Sequence, residues 1–288
     1  MQHISIDDTK MSGTCVAFGC FDGLHIGHMA VIEKLLEVSG ERGLAPVMVC
    51  FTGDDCDAVL TTEPEMRHLL SGFPHVKVFF MPVRDSSRNF VDDVLHTQLG
   101  AKAVIPVSGS AGLTLPGQPE GEYGIDIVEC DAVTVDGCPV DVKRISSAIA
   151  QCRFDDVLCL LGRRHFVMGE VVSGKQLGRT IDQPTANIDF TQNKILPPHG
   201  VYVTMTTFDG ESRIGLTNIG KRPSVDNYDY TTIENHILDY SGDLYGKTLK
   251  VEFCRYIRGV QKFDDLAAVK KQVQKDTMAV WEYMDSIK

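Results

Sequence analysis

The sequence predicts an α/β domain over residues 1–160 and an antiparallel β-barrel domain over residues 161–288 that ends in a helix. Three observations carry this expectation. A chain of 288 residues is long for one domain. Its beginning holds a strand, a glycine-containing loop, an amphipathic helix and a second strand, the pattern of a parallel βαβ unit. From Gly162 onward, short strands separated by turn signals replace that pattern.

With 43% hydrophobic and 23% charged residues, the chain has the composition of an ordinary globular protein. Its formal net charge of −11 argues against a general nucleic-acid or anionic-membrane partner, so any phosphate must be held by local geometry. The nine cysteines include no C-x-x-C pair and read as reduced thiols, mostly in a core. No apolar run approaches the ~20 residues of a membrane span, and the first residues do not read as a signal peptide. These features predict a cytoplasmic protein acting on small molecules, with neither nucleic acid nor membrane as partner. They are equally compatible with self-association.

In chain order, Cys15–Phe18 reads as a buried strand that runs into the loop GCFDGLHIGH, residues 19–28. A helix follows in which Val31, Ile32, Leu35 and Leu36 share a face, closed by Gly40 and Gly43, before a second strand at Val47–Phe51. The loop therefore lies at the carboxyl end of the first strand, where open α/β sheets bind ligands. His25 and His28 flank Ile26-Gly27 at the helix start, where imidazole N–H groups and the positive helix end can hold a triphosphate. Val104–Val107 reads as a further strand.

In the second half, a largely apolar segment at residues 166–172 leads into a loop with Gly174 and Gly178, then Arg179 and Pro184-Thr185-Ala186-Asn187. Glycines at this density let backbone N–H groups approach an anion, and an arginine can fork onto phosphate oxygens. Thr185 and Asn187 offer the neutral oxygens that suit Mg²⁺ when a nucleotide supplies the rest. Residues 200–206 and 213–219, joined by Asp209-Gly210, form a hairpin signal. In Thr232–Tyr240, period-2 geometry puts Glu234 and His236 on one face and Ile233 and Ile237 on the other. Thr248–Arg258 alternates, with Leu249, Val251, Phe253 and Ile257 on one face. Asp264 is the expected N-cap of a last helix with a stripe of Leu266, Val269, Val273, Val280 and Met284.

The Gly-Arg pair leading into Pro-Thr-Ala-Asn resembles the riboflavin kinase loop, as do Asn218-Ile219-Gly220 with Arg222-Pro223, and E-x-H-x-x-D with Leu244-Tyr245-Gly246-Lys247. This resemblance covers residues 162–276 and implies a six-stranded barrel that binds ATP, Mg²⁺ and riboflavin. It implies Glu234 as the base, Gly174, Gly178 and Arg179 at the phosphates, and Thr185 and Asn187 at the metal. It further implies Asn218, Arg222 and Arg258 at the flavin. The first half resembles the Rossmann-like nucleotidyltransferase domain of bacterial bifunctional FAD synthetases, through Gly19, Phe21, Asp22, His25, Gly27 and His28, and through Ile145-Ser146-Ser147. That family carries an acidic-Pro-His-Pro stretch, a loop rich in Gly, Asp, Phe and Arg, and arginines after the serines. Here CFTGDDCDAVL, SGSAGLTLPGQ and AIAQC occupy those places, and Lys143, Arg144 and Arg153 are the nearby cations. In the kinase loop, Asp182-Gln183 replaces the family's Gly-Phe, and Val260 replaces an acidic residue.

The expected function is therefore ATP- and Mg²⁺-dependent conversion of riboflavin to FMN, with adenylylation of FMN weak or absent. The alternatives are a fully bifunctional enzyme that also makes FAD, and a flavin- or nucleotide-binding regulatory protein without either activity.

Overall fold

The computed structural model describes residues 10–53, 58–82, 90–107, 124–174, 184–223 and 229–287, with backbone alone at 222, 223 and 229. It divides into two compact units, Met1–Arg144 and Ile145–Lys288.

The first unit is a parallel sheet. Its elements are β1 (Thr14–Gly19), α1 (Ile26–Arg42), β2 (Ala45–Thr52), α2 (Glu63–Leu70), β3 (Lys77–Pro82), a π-helical segment (Phe90–Gln98), β4 (Ala101–Pro106) and β5 (Asp126–Ile127). The strand order is β3-β2-β1-β4-β5, and every pairing is parallel. The order reverses direction beside β1, so the loop leaving β1 sits at a topological switch point. Strands buried on both faces read as continuous apolar runs. Accordingly Val16, Phe18, Val47 and Val49 pack with Phe90 and Leu95 on one side, while Ala17, Met48 and Cys50 pack with Ile32 and Leu35 on the other. In α1 the buried face is Val31, Ile32, Leu35 and Val38, and Leu36 is exposed. Gly43, with φ 63°, ends the helix; Gly40 lies within it. A tight hairpin, β6 (Thr134–Val135) to β7 (Cys138–Pro139), turns on Asp136 and Gly137, both at positive φ.

The second unit is a closed barrel of six antiparallel strands, in the order β10-β11-β12-β9-β8-β13. These are β8 (Phe166–Val172), β9 (Ala186–Asp189), β10 (Gly200–Phe208), β11 (Glu211–Pro223), β12 (Asp229–Ile237) and β13 (Thr248–Arg258). Val167, Val171, Ile188, Ile219, Ile233, Ile237, Leu249, Val251 and Phe253 fill its interior. The alternation read for β13 stops at Phe253. Its pairing with β10 shifts register twice, which passes over Cys254 and Ile257. Both then pack outside the barrel with Val280 and Met284 of α5 (Leu266–Ser286). The N-cap of α5 is Asp265 rather than Asp264, its carboxylate accepting the Ala268 N–H at 2.7 Å. Leu266, at the very start of α5, is 61% exposed and falls outside the packed stripe.

Helices α3 (Val142–Ala150) and α4 (Phe154–Leu161) precede the barrel. Phe154 belongs to the barrel core, 6.0 Å from Tyr202 and 6.3 Å from Phe253 between ring centroids. A cut at 160/161, the boundary expected from the sequence, would strip this ring away. A fragment of residues 145–288 is expected to exceed one of residues 160–288 in stability by ~3–5 kcal/mol, the usual worth of a buried Phe. Equal urea midpoints for the two fragments would show that α4 adds nothing to the barrel.

Candidate functional site

In the barrel, β9, β12 and β11 lie side by side. Register sets Asn187 opposite Glu234, and Glu234 opposite Asn218. Directly opposed residues share a face of the sheet. The neighbouring row, Ile188, Ile233 and Ile219, is buried in the barrel core, so the row of Asn187, Glu234 and Asn218 faces outward. All three residues are half-buried. A carboxylate thus stands in register between two carboxamides, each supplied by a different motif.

Gly174 closes on the same row. A Cβ at this position would overlap the Asn187 carboxamide, so only glycine lets the loop pass there. Next to Thr185 and Asn187 an open cavity of about 610 Å³ is walled by Val171, Asn235, Ile237, Tyr240 and Leu244. Asn235 is 1% exposed; its Nδ2 donates to Thr206 Oγ1 at 2.7 Å, and its Oδ1 has no partner among the described residues. Sequence reading passed over this cavity. Its signal was a polar residue, Asn235, on the otherwise apolar face of the 233–237 alternation.

Arg258 is engaged within the chain. Its Nε and Nη2 fork onto Asp276 of α5 at 2.7–3.0 Å, and its Nη1 donates to Gly259 O. Asp276 is 2% exposed, so this pair clamps α5 to the end of β13. Gly178, Arg179 and Asp182-Gln183 lie outside the described residues, as does the side chain of Arg222.

In the first unit, His25 is the N-cap of α1. Its Nδ1 accepts the backbone N–H of His28 at 3.4 Å, which leaves the ring proton of the neutral form on Nε2. The two imidazoles stack with centroids 3.6 Å apart, and His28 also lies 5.3 Å from the Phe21 ring. Gly27 makes the stack: a Cβ there would come 3.1 Å from the His25 ring. Asp22 ties the loop to the segment entering α2, its carboxylate accepting the N–H groups of Leu60 and Thr61, each at 2.9 Å. Gly19 ends β1.

Of the cations near Ser147 in sequence, Arg144 and Arg153 are engaged locally. Arg144 donates to Val135 O and Cys138 O in the β6–β7 hairpin, and Arg153 pairs with Asp156. Ser146 and Ser147 lie on α3, in the part of the chain grouped with the barrel, where Ser147 Oγ accepts from Gln151 Nε2 at 3.1 Å. The stretch at 108–118 lies outside the described residues.

Comparison with known proteins matches both halves. A riboflavin kinase family model matches residues 161–284, and an FAD synthetase family model matches residues 7–106. The bifunctional riboflavin kinase/FMN adenylyltransferase of Escherichia coli K12 is 33% identical, over 97% of this chain and 95% of that protein. The chain belongs to the bacterial bifunctional riboflavin kinase/FMN adenylyltransferase family. Other members include the Pseudomonas fluorescens protein, 31% identical over 92% of this chain and 91% of its own, and the Bacillus subtilis protein, 26% identical over 97% and 95%. A solved structure described as a macrolide-efflux protein from Streptococcus pneumoniae superposes with a TM-score of 0.75 at 22% identity, over 96% of both chains; it shares the fold. Among the described residues, no helix is long and apolar enough to cross a membrane.

Proposed function

We propose that the barrel unit phosphorylates riboflavin to FMN and that the α/β unit adenylylates FMN to FAD. The observation that carries the first reaction is the register-locked row of Asn187, Glu234 and Asn218, next to a cavity of nucleotide size. Glu234 accepts the proton of the ribityl 5′-hydroxyl as that oxygen bonds to the γ-phosphorus of ATP. The bond to the bridging oxygen breaks, and ADP leaves. Phosphoryl transfer has a loose transition state, so the protein's work is to position groups and balance charge. Thr185 and Asn187 present neutral oxygens within one turn of chain from each other, a donor set that fits a hard, largely hydrated Mg²⁺. When bound, Mg²⁺ neutralises the phosphate oxygens. The cavity next to it takes the base and ribose, and Gly174 lies beside the Asn187 carboxamide at the phosphate end.

For the second reaction, the FMN phosphate attacks the α-phosphorus of ATP and pyrophosphate leaves. His25 and His28 at the start of α1 offset the charge that builds on the α-phosphate. The expectation of weak or absent FAD synthesis rests on sequence departures, the missing arginines above all. Whole-length likeness to bifunctional relatives and the match of residues 7–106 weigh against it, and both activities are the better-supported reading. The local engagement of Arg144 and Arg153 is consistent with a slower second step than first.

The direct test of the kinase reading is riboflavin-dependent release of ADP, abolished by chelating Mg²⁺. Replacing Thr185 or Asn187 by Ala is expected to raise the half-saturating Mg²⁺ and ATP concentrations together, by about tenfold, equivalent to one or two lost contacts. Unchanged Mg²⁺ dependence in both variants would place the metal elsewhere.

A further inference from the structure

We propose that His236 is a positioning residue for phosphoryl transfer: it fastens the Pro184–Thr185 segment to the strand that carries Glu234. This inference rests on the kinase reading above. The β12–β9 ladder pairs Ile233 with Ile188, Glu234 with Asn187 and Asn235 with Ala186, and there it ends. The next rung would set His236 against Thr185. Pro184, one residue further, has no N–H to donate. In place of a backbone rung, His236 Nδ1 lies 2.8 Å from Pro184 O. A carbonyl oxygen only accepts, so Nδ1 carries the proton and donates.

The side chain thereby extends the strand pairing by two residues, into the segment that bears Thr185. His236 stands two residues from Glu234, so both project from the same outward face of β12. One short stretch of strand thus holds the base, through Glu234, and the place of the Thr185 oxygen, through His236. A shift of about 1 Å in such a constellation costs a large factor in rate. Pro184 and His236 also border a smaller cavity with Leu238, Asp239 and Thr277, so the segment is not backed by solid packing on that side. The hydrogen bond from His236 therefore holds Pro184 on a side where packing is open.

The test compares His236→Ala, His236→Asn and His236→Gln in the full chain. Asn places an N–H donor where Nδ1 lies, whereas Gln places one where Nε2 lies. Steady-state kinetics are read separately for Mg·ATP and for riboflavin, and Mg·ADP affinity is read by calorimetry, which needs no turnover. His236→Ala and His236→Gln are expected to weaken Mg·ADP binding and raise the KM for Mg·ATP by about tenfold, the worth of one net hydrogen bond. The KM for riboflavin should stay within about twofold, and His236→Asn should recover to within about threefold of the parent. Unaltered Mg·ADP affinity in His236→Ala would overturn the proposal. So would a His236→Asn variant no better than His236→Gln, since a general packing role would not separate the two. If the parent chain fails to phosphorylate riboflavin, the kinase reading fails, while the calorimetric comparison still decides the role of His236.

Discussion

Replacing Glu234 by Gln is expected to lower kcat for FMN formation by ~10²–10⁴, the range for loss of a general base. Gln keeps the size of the side chain between Asn187 and Asn218, which flank it in register. It cannot take a proton. Riboflavin and Mg·ATP binding should therefore change little, and the loss should fall on kcat and kcat/KM alike, the mark of a contact made in the transition state. The scale corresponds to ~3–5 kcal/mol of barrier. Parent-like turnover in this variant would remove Glu234 from the chemistry.

Replacing His28 by Ala should lower FAD formation from FMN by ~10²–10³, the cost of losing one donor to a developing oxyanion. His28 is 4% exposed, between the rings of His25 and Phe21, so its truncation also loosens the loop. The chain carries its own control. FMN formation depends on residues of the other unit and should persist in the variant at close to the parent rate. Parallel loss of both products would point to unfolding rather than catalysis. Undiminished FAD formation would show that His28 takes no part.

Much of this architecture is written locally in the sequence. Strand, loop, capped helix and strand at the beginning follow from apolar periodicity and from His25-Ile26-Gly27-His28 at the helix start. What escaped reading depends on partners far away in sequence. β9 is only Ala186–Asp189, too short to show alternation, and is a strand because β8 and β12 flank it. The outward turn of Cys254 and Ile257 comes from bulges set against β10, which period-2 counting cannot foresee. The pairing of Arg258 with Asp276, 18 residues on in a helix, gives no local sign in the sequence. Phe154 joins the barrel core from ahead of the expected boundary, and α4 gives no sign of this in the sequence. The residue types of the proposed kinase site were legible as motifs. Their alignment into one row was not, because register is a property of the closed barrel.

The central claim is that one chain makes FMN in its barrel and FAD in its α/β unit. The most direct measurement is a time course of the purified protein with riboflavin, excess ATP and Mg²⁺, with flavins resolved by chromatography. FMN should accumulate first, and FAD should follow after a lag while FMN builds up, at the rate of adenylyl transfer. FMN that persists without any FAD would contradict the bifunctional account, and riboflavin left unconverted would contradict it altogether.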